Sequence, residues 1–157
     1  MSITYQVERW NDIVTEFEPF VEPHWQELAL DQRDVPVAID WASYEKFDDA
    51  EELHVVTVRD DETLIGYHIS LVKPGLHYKT TLHAFVDLYY LKPEYRHDRT
   101  GLGMFQFAEM ALRNIGVVKV IQGSKLHLFH DKLFIGLDYR PFEVLFSKVL
   151  IPKEDTQ

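Results

Sequence analysis

Leu82-His-Ala-Phe-Val-Asp-Leu-Tyr-Tyr-Leu-Lys-Pro-Glu-Tyr-Arg-His-Asp-Arg-Thr-Gly-Leu-Gly-Met-Phe-Gln-Phe-Ala-Glu-Met-Ala-Leu-Arg-Asn-Ile-Gly116 decides the fold. It reads as an apolar strand over 82–91, a basic turn with two glycines, and an amphipathic helix over 101–115 that Gly116 ends from the C′ position. A strand–loop–helix unit of this kind suits a phosphate-bearing ligand, because helix-start N–H groups and the positive end of the helix dipole converge there. Gly101 and Gly103 lack a Cβ, so the backbone can approach a pyrophosphate closely. Arg96 and Arg99 bring positive charge, and Thr100 serves as N-cap or hydroxyl donor. The competing reading is an ordinary turn in which glycine only starts the helix.

The strand has two faces, with Leu82, Ala84, Val86, Leu88 and Tyr90 on one and His83, Phe85, Asp87, Tyr89 and Leu91 on the other. Asp87 is a lone carboxylate in an apolar run. Burial would raise its pKa and suit it to take a proton from an ammonium group, whereas a hidden Lys or Arg would make it structural. His83 lies on the same face and either shares that role or is a hydrogen-bonded structural histidine.

Working outward, residues 2–8 read as a short edge strand. Apolar positions from Trp10 to Leu30 follow helical spacing with an interruption at Pro23, which predicts two short helices. Asp40 is placed to cap a helix over 41–53. His54–Arg59 and Leu64–Val72 form a hairpin ended by Lys73-Pro74-Gly75. After the central helix, Val117–Ile121 is a strand, Leu126–Ile135 looks helical, and Arg140–Ile151 closes the chain as a strand. Tyr67, His68, Tyr78 and Lys79 fall on or beside strands next to the expected cleft. The order predicts one domain over residues 1–157, an α/β (α+β) fold with a mixed, mostly antiparallel central sheet flanked by helices.

Composition narrows the function. The chain has 157 residues, 46% hydrophobic and 13% aromatic, enough for one packed core. Its net charge of −10 argues against direct nucleic-acid binding. Residues 1–52 hold fourteen carboxylates against three bases, while the rest is nearly neutral, which suggests either a solvated acidic face or a surface for a cationic partner. Cysteine is absent, so thiolate chemistry is excluded and a cytoplasmic setting is expected. No apolar run is long enough to cross a bilayer, so no membrane association is expected. His127 and His130 have helical i, i+3 spacing but no third ligand, and no metal is expected. The aromatics of 105–107 and 142–146 read as core.

Leu91-Lys-Pro-Glu-Tyr-Arg96 followed by Gly101-Leu-Gly103 resembles the hallmark of the GNAT superfamily of N-acetyltransferases. The order of elements agrees over nearly the whole chain. The resemblance implies acetyl-CoA as co-substrate, with the backbone of Tyr89, Tyr90 and Leu91 holding the pantetheine arm and thioester. It places the pyrophosphate on the amides of Arg99, Thr100, Gly101, Leu102 and Gly103, with Arg96 nearby. The family form carries Gln or Arg where this chain has Asp98, and two extra residues precede Gly101, a spacing that resembles phage-encoded members. Asp87 matches the catalytic glutamate of polyamine-type members. The tyrosine that many members use to protonate the leaving thiolate falls at Phe134, leaving His130 and then Tyr139 as substitutes.

The implied function is acetyl transfer to a primary amine by direct attack in a ternary complex. The acceptor would be a polyamine, an aminosugar, or a protein lysine or amino terminus, with a homodimer left open. Phe134 and Asp98 support a second reading, an acyl-CoA-binding interaction module without chemistry. A third is an acidic decoy for a basic protein.

Overall fold

The computed structural model describes residues 2–150. Its elements are β1 (Ile3–Glu8), α1 (Trp10–Phe17), α2 (Val21–Leu28), α3 (Trp41–Asp49), β2 (Leu53–Asp60), β3 (Thr63–Gly75), β4 (Tyr78–Leu91), α4 (Thr100–Asn114), β5 (Val117–Ile121) and α5 (Asp131–Gly136). The strands form one sheet in the order β1-β2-β3-β4-β5, antiparallel except for the parallel β4–β5 pair. Seven of the eight β2 residues are buried, as expected of a central strand covered on both faces.

One face packs against the N-terminal helices. Trp10, Ile13, Phe17 and Phe20 meet Val55, Tyr67, Ile69 and Tyr90 there. The other face carries α4, whose buried Met104, Phe105, Ala108, Ala111 and Leu112 follow the 3.6-residue period of an amphipathic helix. Asp40 caps α3 through the Ser43 N–H at 3.1 Å, and Gly116 adopts φ +91° after α4. Both features match the sequence reading.

Four boundaries differ, each for a local reason. The break between α1 and α2 is a 3-10 turn over Glu18–Phe20, while Pro23 sits in the first turn of α2, where its missing N–H costs no intrahelical bond. β3 runs through Lys73 and Pro74 to Gly75, and β4 begins at Tyr78. The β2 ladder ends at the Leu53–Leu71 pair, so Pro74 lies where β3 has β4 as its sole strand neighbour and a proline is tolerated. The single helix expected over Leu126–Ile135 is a 3-10 turn, Leu126–Leu128, followed by α5; the His130 N–H donates to Ser124 Oγ at 2.8 Å and closes the intervening loop. His127 and His130 therefore do not share a helix. The strand expected over Arg140–Ile151 is absent from residues 140–150, which pair with no strand, and Ile151 lies outside the described residues. Phe142 and Phe146, read as core, are exposed.

Arg59 ties the N-terminal elements together. Its side chain, 8% exposed, donates to Glu8 at 3.0 and 3.1 Å, to both oxygens of Glu16 at 2.9 Å, and to the Glu62 carbonyl at 2.9 Å. Arg59→Met leaves two carboxylates facing each other without their cation. Chemical denaturation is expected to show a loss of about 2–3 kcal/mol, below the range for a fully buried pair because Glu16 is half exposed. Adding Glu16→Gln should recover part of that loss.

Candidate active site

The cleft begins where the sheet parts. β5 pairs with β4 from Leu82 to Phe85 and then diverges, while β4 continues to Leu91. At the same place the β3–β4 register slips between Ile69–Leu88 and Ser70–Val86, which makes Asp87 the extra residue of a β-bulge. The bulge switches faces: Leu82 and Ala84 pack on the α4 side, whereas Leu88 and Tyr90 pack with the N-terminal helices. Strict alternation along 82–91 therefore fails at Asp87.

Backbone direction follows from the ladder. The Lys92 N–H bonds the Ile65 carbonyl of β3 at 2.9 Å, so Leu91 and Tyr89 turn their polar groups away from β3, toward the gap left by β5. The Leu91 carbonyl there accepts from Arg96 Nε at 2.7 Å. The Tyr89 hydroxyl crosses the gap to the Gly123 carbonyl at 3.0 Å. Phe105 and Phe134 meet the Tyr89 ring edge-on at 5.2 and 6.0 Å and form an apolar floor.

Asp87 is exposed, not sequestered in an apolar strand as its sequence neighbours suggested. Its Oδ2 accepts a short hydrogen bond from the Tyr44 hydroxyl of α3. Burial, then Asp87 itself, raises the Tyr44 phenol far above its ordinary pKa, so it stays a donor that fixes the carboxylate. Tyr44 stacks on Trp10 at 4.6 Å, and Trp10 in turn lies 6.2 Å from Trp41. An aromatic wall thus stands beside the carboxylate.

The loop before α4 divides its tasks differently from the sequence reading. Arg96 is committed to both oxygens of Glu27 on α2 at 2.7 and 2.9 Å and lies 5.2 Å from the Tyr90 ring centre. It braces α2 against β4, while exposed Arg99 forms no ion pair among the described residues. Asp98 Oδ1 takes the Thr100 N–H at 2.7 Å, capping the helix, and the Gly103 N–H bonds the Arg99 carbonyl at 2.9 Å. The Gly101 and Leu102 N–H groups are left as first-turn donors without an intrahelical partner. Gly103 answers to packing: a Cβ there would lie 2.3 Å from Tyr5 Oη, whose hydroxyl donates to the Thr100 carbonyl at 3.0 Å. A Cβ on Gly101 would meet Leu91 at an ordinary 3.7 Å.

The remaining candidates scatter. His130 occupies the N-cap position of α5 without a side-chain cap bond, its ring 6.4 Å from that of Tyr89, while the Arg96 hydrogen bond is the main cause that holds the Glu27 carboxylate below its usual pKa. Tyr139 faces Glu109 on α4, and burial, then Glu109, raises its phenol. His83 is buried and hydrogen-bonds Thr81 at 3.0 Å. Tyr67 and His68 are buried on opposite sheet faces, and Tyr78 is exposed beside the β3–β4 turn. Among the described residues no group of three or more His, Cys, Asp or Glu is placed to hold a metal ion, and no helix is long and apolar enough to cross a membrane.

Sequence reasoning missed Tyr44, Glu27 and Tyr5, whose roles depend on contacts between distant elements. The i+4 distance of Tyr44 from the Asp40 cap showed only that it lay on α3.

Three of the buried histidines are driven toward the neutral form by their burial. Burial pushes His24, His54 and His68 down to about 4 from 6.5, and His24 Nδ1 lies 2.7 Å from the Tyr67 hydroxyl. A depressed histidine pKa means that the unfolded chain takes up protons first as pH falls through 6.5 toward 4, so stability is complete above that window and lost within it. Denaturation at about pH 5 should show a loss on the order of 2 kcal/mol per buried histidine relative to neutral pH. Equal stability at the two pH values would contradict this.

The fold is shared with solved acetyltransferases: a mostly antiparallel sheet splayed between β4 and β5, with a helix starting after β4. Among solved structures the chain is similar to a predicted acetyltransferase with acetyl-CoA from Clostridium acetobutylicum, at TM-score 0.70 and 11% identity over 94% of this chain and 96% of that one. It is similar to the ribosomal-protein-alanine N-acetyltransferase from Brucella melitensis biovar Abortus 2308, at TM-score 0.69 and 16% identity over 94% and 100% of the two chains. A third is AAC(6')-Iy in complex with the bisubstrate analogue CoA-S-monomethyl-acetylneamine, at TM-score 0.66 and 13% identity over 96% and 100%. No protein-family model and no curated protein matches this sequence.

Proposed function

We propose that the protein transfers an acetyl group from acetyl-CoA to a primary amine, both substrates being bound at once. What supports this reading is the gap left where β5 diverges from β4: the β4 backbone at Tyr89 and Leu91 faces it, with the Leu91 carbonyl held by Arg96, the helix-start amides of Gly101 and Leu102 follow β4, and the Asp87 carboxylate is exposed at the bulge. The amides and Arg99 would take the pyrophosphate, the dipole of α4 adding to their charge. The pantetheine arm would pair along Tyr89 and Leu91 as a short surrogate strand. An N–H of that backbone would polarise the thioester carbonyl, and Tyr90 beneath it is locked by Arg96 and His24.

The amine lone pair attacks the thioester carbon, the C–N bond forms and the C–S bond breaks. Asp87 takes the ammonium proton, directly or through a water, with Tyr44 fixing its orientation. The departing thiolate needs a proton, and His130 beside Tyr89 is better placed than Tyr139, whose hydroxyl is engaged near Glu109. A cationic acceptor suits the aromatic wall and the exposed carboxylates of α1 to α3: a polyamine, an aminosugar, or a protein lysine or amino terminus. The cysteine-free chain fits a reducing cytoplasm.

The test is thiol release from acetyl-CoA across a panel of polyamines, aminosugars and peptides, with acetylated product confirmed by mass. Turnover with at least one amine class supports the reading. Tight coenzyme binding with no turnover on any class would convert the protein to a binding module.

A further inference from the structure

A pocket of about 280 Å³ opens between α1 and the start of α3, lined by Val14, Thr15, Glu18 and Trp41. Its volume is near the lower end for small-molecule sites, and none of its lining residues belongs to the sheet. On α1, Trp10, Ile13 and Phe17 are buried in the core, so Val14 and Glu18, each one residue on, fall on the flank beside them. Trp41 is the first residue of α3, next to the Asp40 cap. Trp10 stacks on its ring at 6.2 Å and Phe17 meets it edge-on at 6.3 Å, which fixes the ring while 37% of the residue stays exposed.

The polar groups of this pocket are open, and all of them favour a cation. Glu18 and Thr15 make no hydrogen bond or ion pair among the described residues. Asp40, the carboxylate next to Trp41 in sequence, is taken up by the Ser43 N–H and hydroxyl at 3.1 and 2.7 Å, which leaves Glu18 as the free charge. Elsewhere the chain supplies its own cations to aromatic faces: Lys73 lies 5.8 Å from the Phe47 ring centre, Lys92 5.3 Å from Phe20, and Arg96 5.2 Å from Tyr90. Trp41 is the ring type that holds a cation most strongly, yet it carries none among the described residues. Residues 1–52 hold fourteen carboxylates against three bases, so the surrounding field also attracts positive charge.

We infer that this pocket binds a small primary alkylammonium ion, separately from any amine held at Asp87. The indole of Trp41 attracts the charge, Glu18 pairs with it, the Thr15 hydroxyl oxygen accepts one of its N–H bonds, and Val14 covers the first methylenes. A primary ammonium suits the pocket better than a quaternary one, because only N–H donors satisfy a carboxylate and a hydroxyl together. Tyr44, which reaches Asp87, lies one turn beyond Trp41 on α3, so the two positions are neighbours on one helix without sharing a lining residue.

The test is a titration of the full chain with n-butylammonium chloride, without coenzyme, followed through the indole N–H resonances of its three tryptophans. The Trp41 signal, assigned with Trp41→Phe, should move to saturation while that of Trp25 stays fixed. Glu18→Gln should weaken binding about fivefold, the upper range for an exposed ion pair, and Thr15→Val should weaken it less. Both side chains are exposed, so neither change touches the core. Asp87→Asn should leave the titration unchanged. Tetramethylammonium should bind more weakly than n-butylammonium, and uncharged n-butanol should not bind. A silent Trp41 signal, an equal response to n-butanol or tetramethylammonium, or a response to a lysine peptide but not to the free amine would overturn the site. So would wild-type affinity in Glu18→Gln, or loss of binding in Asp87→Asn. Because the readout is binding between α1 and α3, its failure leaves the acetyl-transfer reading standing, and the reverse holds too.

Discussion

Asp87→Asn is expected to cut turnover by about 10²–10⁴ while leaving acetyl-CoA affinity nearly unchanged. The substitution keeps size and shape, and the amide can still pair with the Tyr44 hydroxyl that holds the carboxylate. What it removes is the capacity to accept the ammonium proton. Tyr44→Phe is the companion: it leaves the base in place but unoriented, so turnover should fall less than in Asp87→Asn. Equal turnover in Asp87→Asn and wild type would remove Asp87 from the mechanism.

The second large effect is expected at Gly66 on β3, far from any proton transfer. A Cβ there would lie 2.7 Å from the Tyr90 carbonyl and 3.2 Å from Leu91 Cα. Those atoms are backbone, so Gly66→Ala forces β3 and β4 apart just where, in the proposed function, β4 would hold the thioester. Overpacking of this kind costs about 1–3 kcal/mol, read by urea denaturation. Acetyl-CoA affinity should fall with it, because the Tyr89–Leu91 edge moves. Gly101→Ala, which meets only Leu91 at an ordinary distance, is the control and should retain stability. A Gly66→Ala variant with wild-type stability and affinity would show that the strand pair is less rigid than its contacts imply.

The contrast between these glycines shows what the sequence could convey. Gly101 and Gly103 stand out in a phosphate-loop pattern, yet Gly103 packs against the Tyr5 side chain, ninety-eight positions earlier, and Gly66 is required by the Tyr90 backbone across a ladder. Local chemistry was legible: the Asp40 cap, the Gly116 stop, the five strands and the amphipathic period of α4 all depend on residues a few positions apart. Contacts between distant segments were not. Arg96 reads as a phosphate ligand until α2 brings Glu27 to it, and Asp98 reads as a departure from the family form until its carboxylate is seen to cap Thr100. Asp87 reads as buried because its sequence neighbours are apolar, but the bulge turns it outward to Tyr44. Residues 140–150 carry a genuine strand pattern without a strand, since period-two apolarity records what a segment can cover, not whether its own chain supplies the partner.

The strand–loop–helix unit is therefore the firm part of the account, and its ligand is the central claim. Thermal unfolding with saturating acetyl-CoA, free CoA and ATP addresses it most directly, because a ligand that binds only the folded chain raises its midpoint by mass action. Both coenzymes should raise the midpoint clearly more than ATP, since in the proposed site the pantetheine arm would add β4 contacts that ATP lacks. Arg99→Glu should diminish the coenzyme shift. No shift with either coenzyme at saturation, or an equal shift with ATP, would contradict a coenzyme A site at the β4–β5 gap.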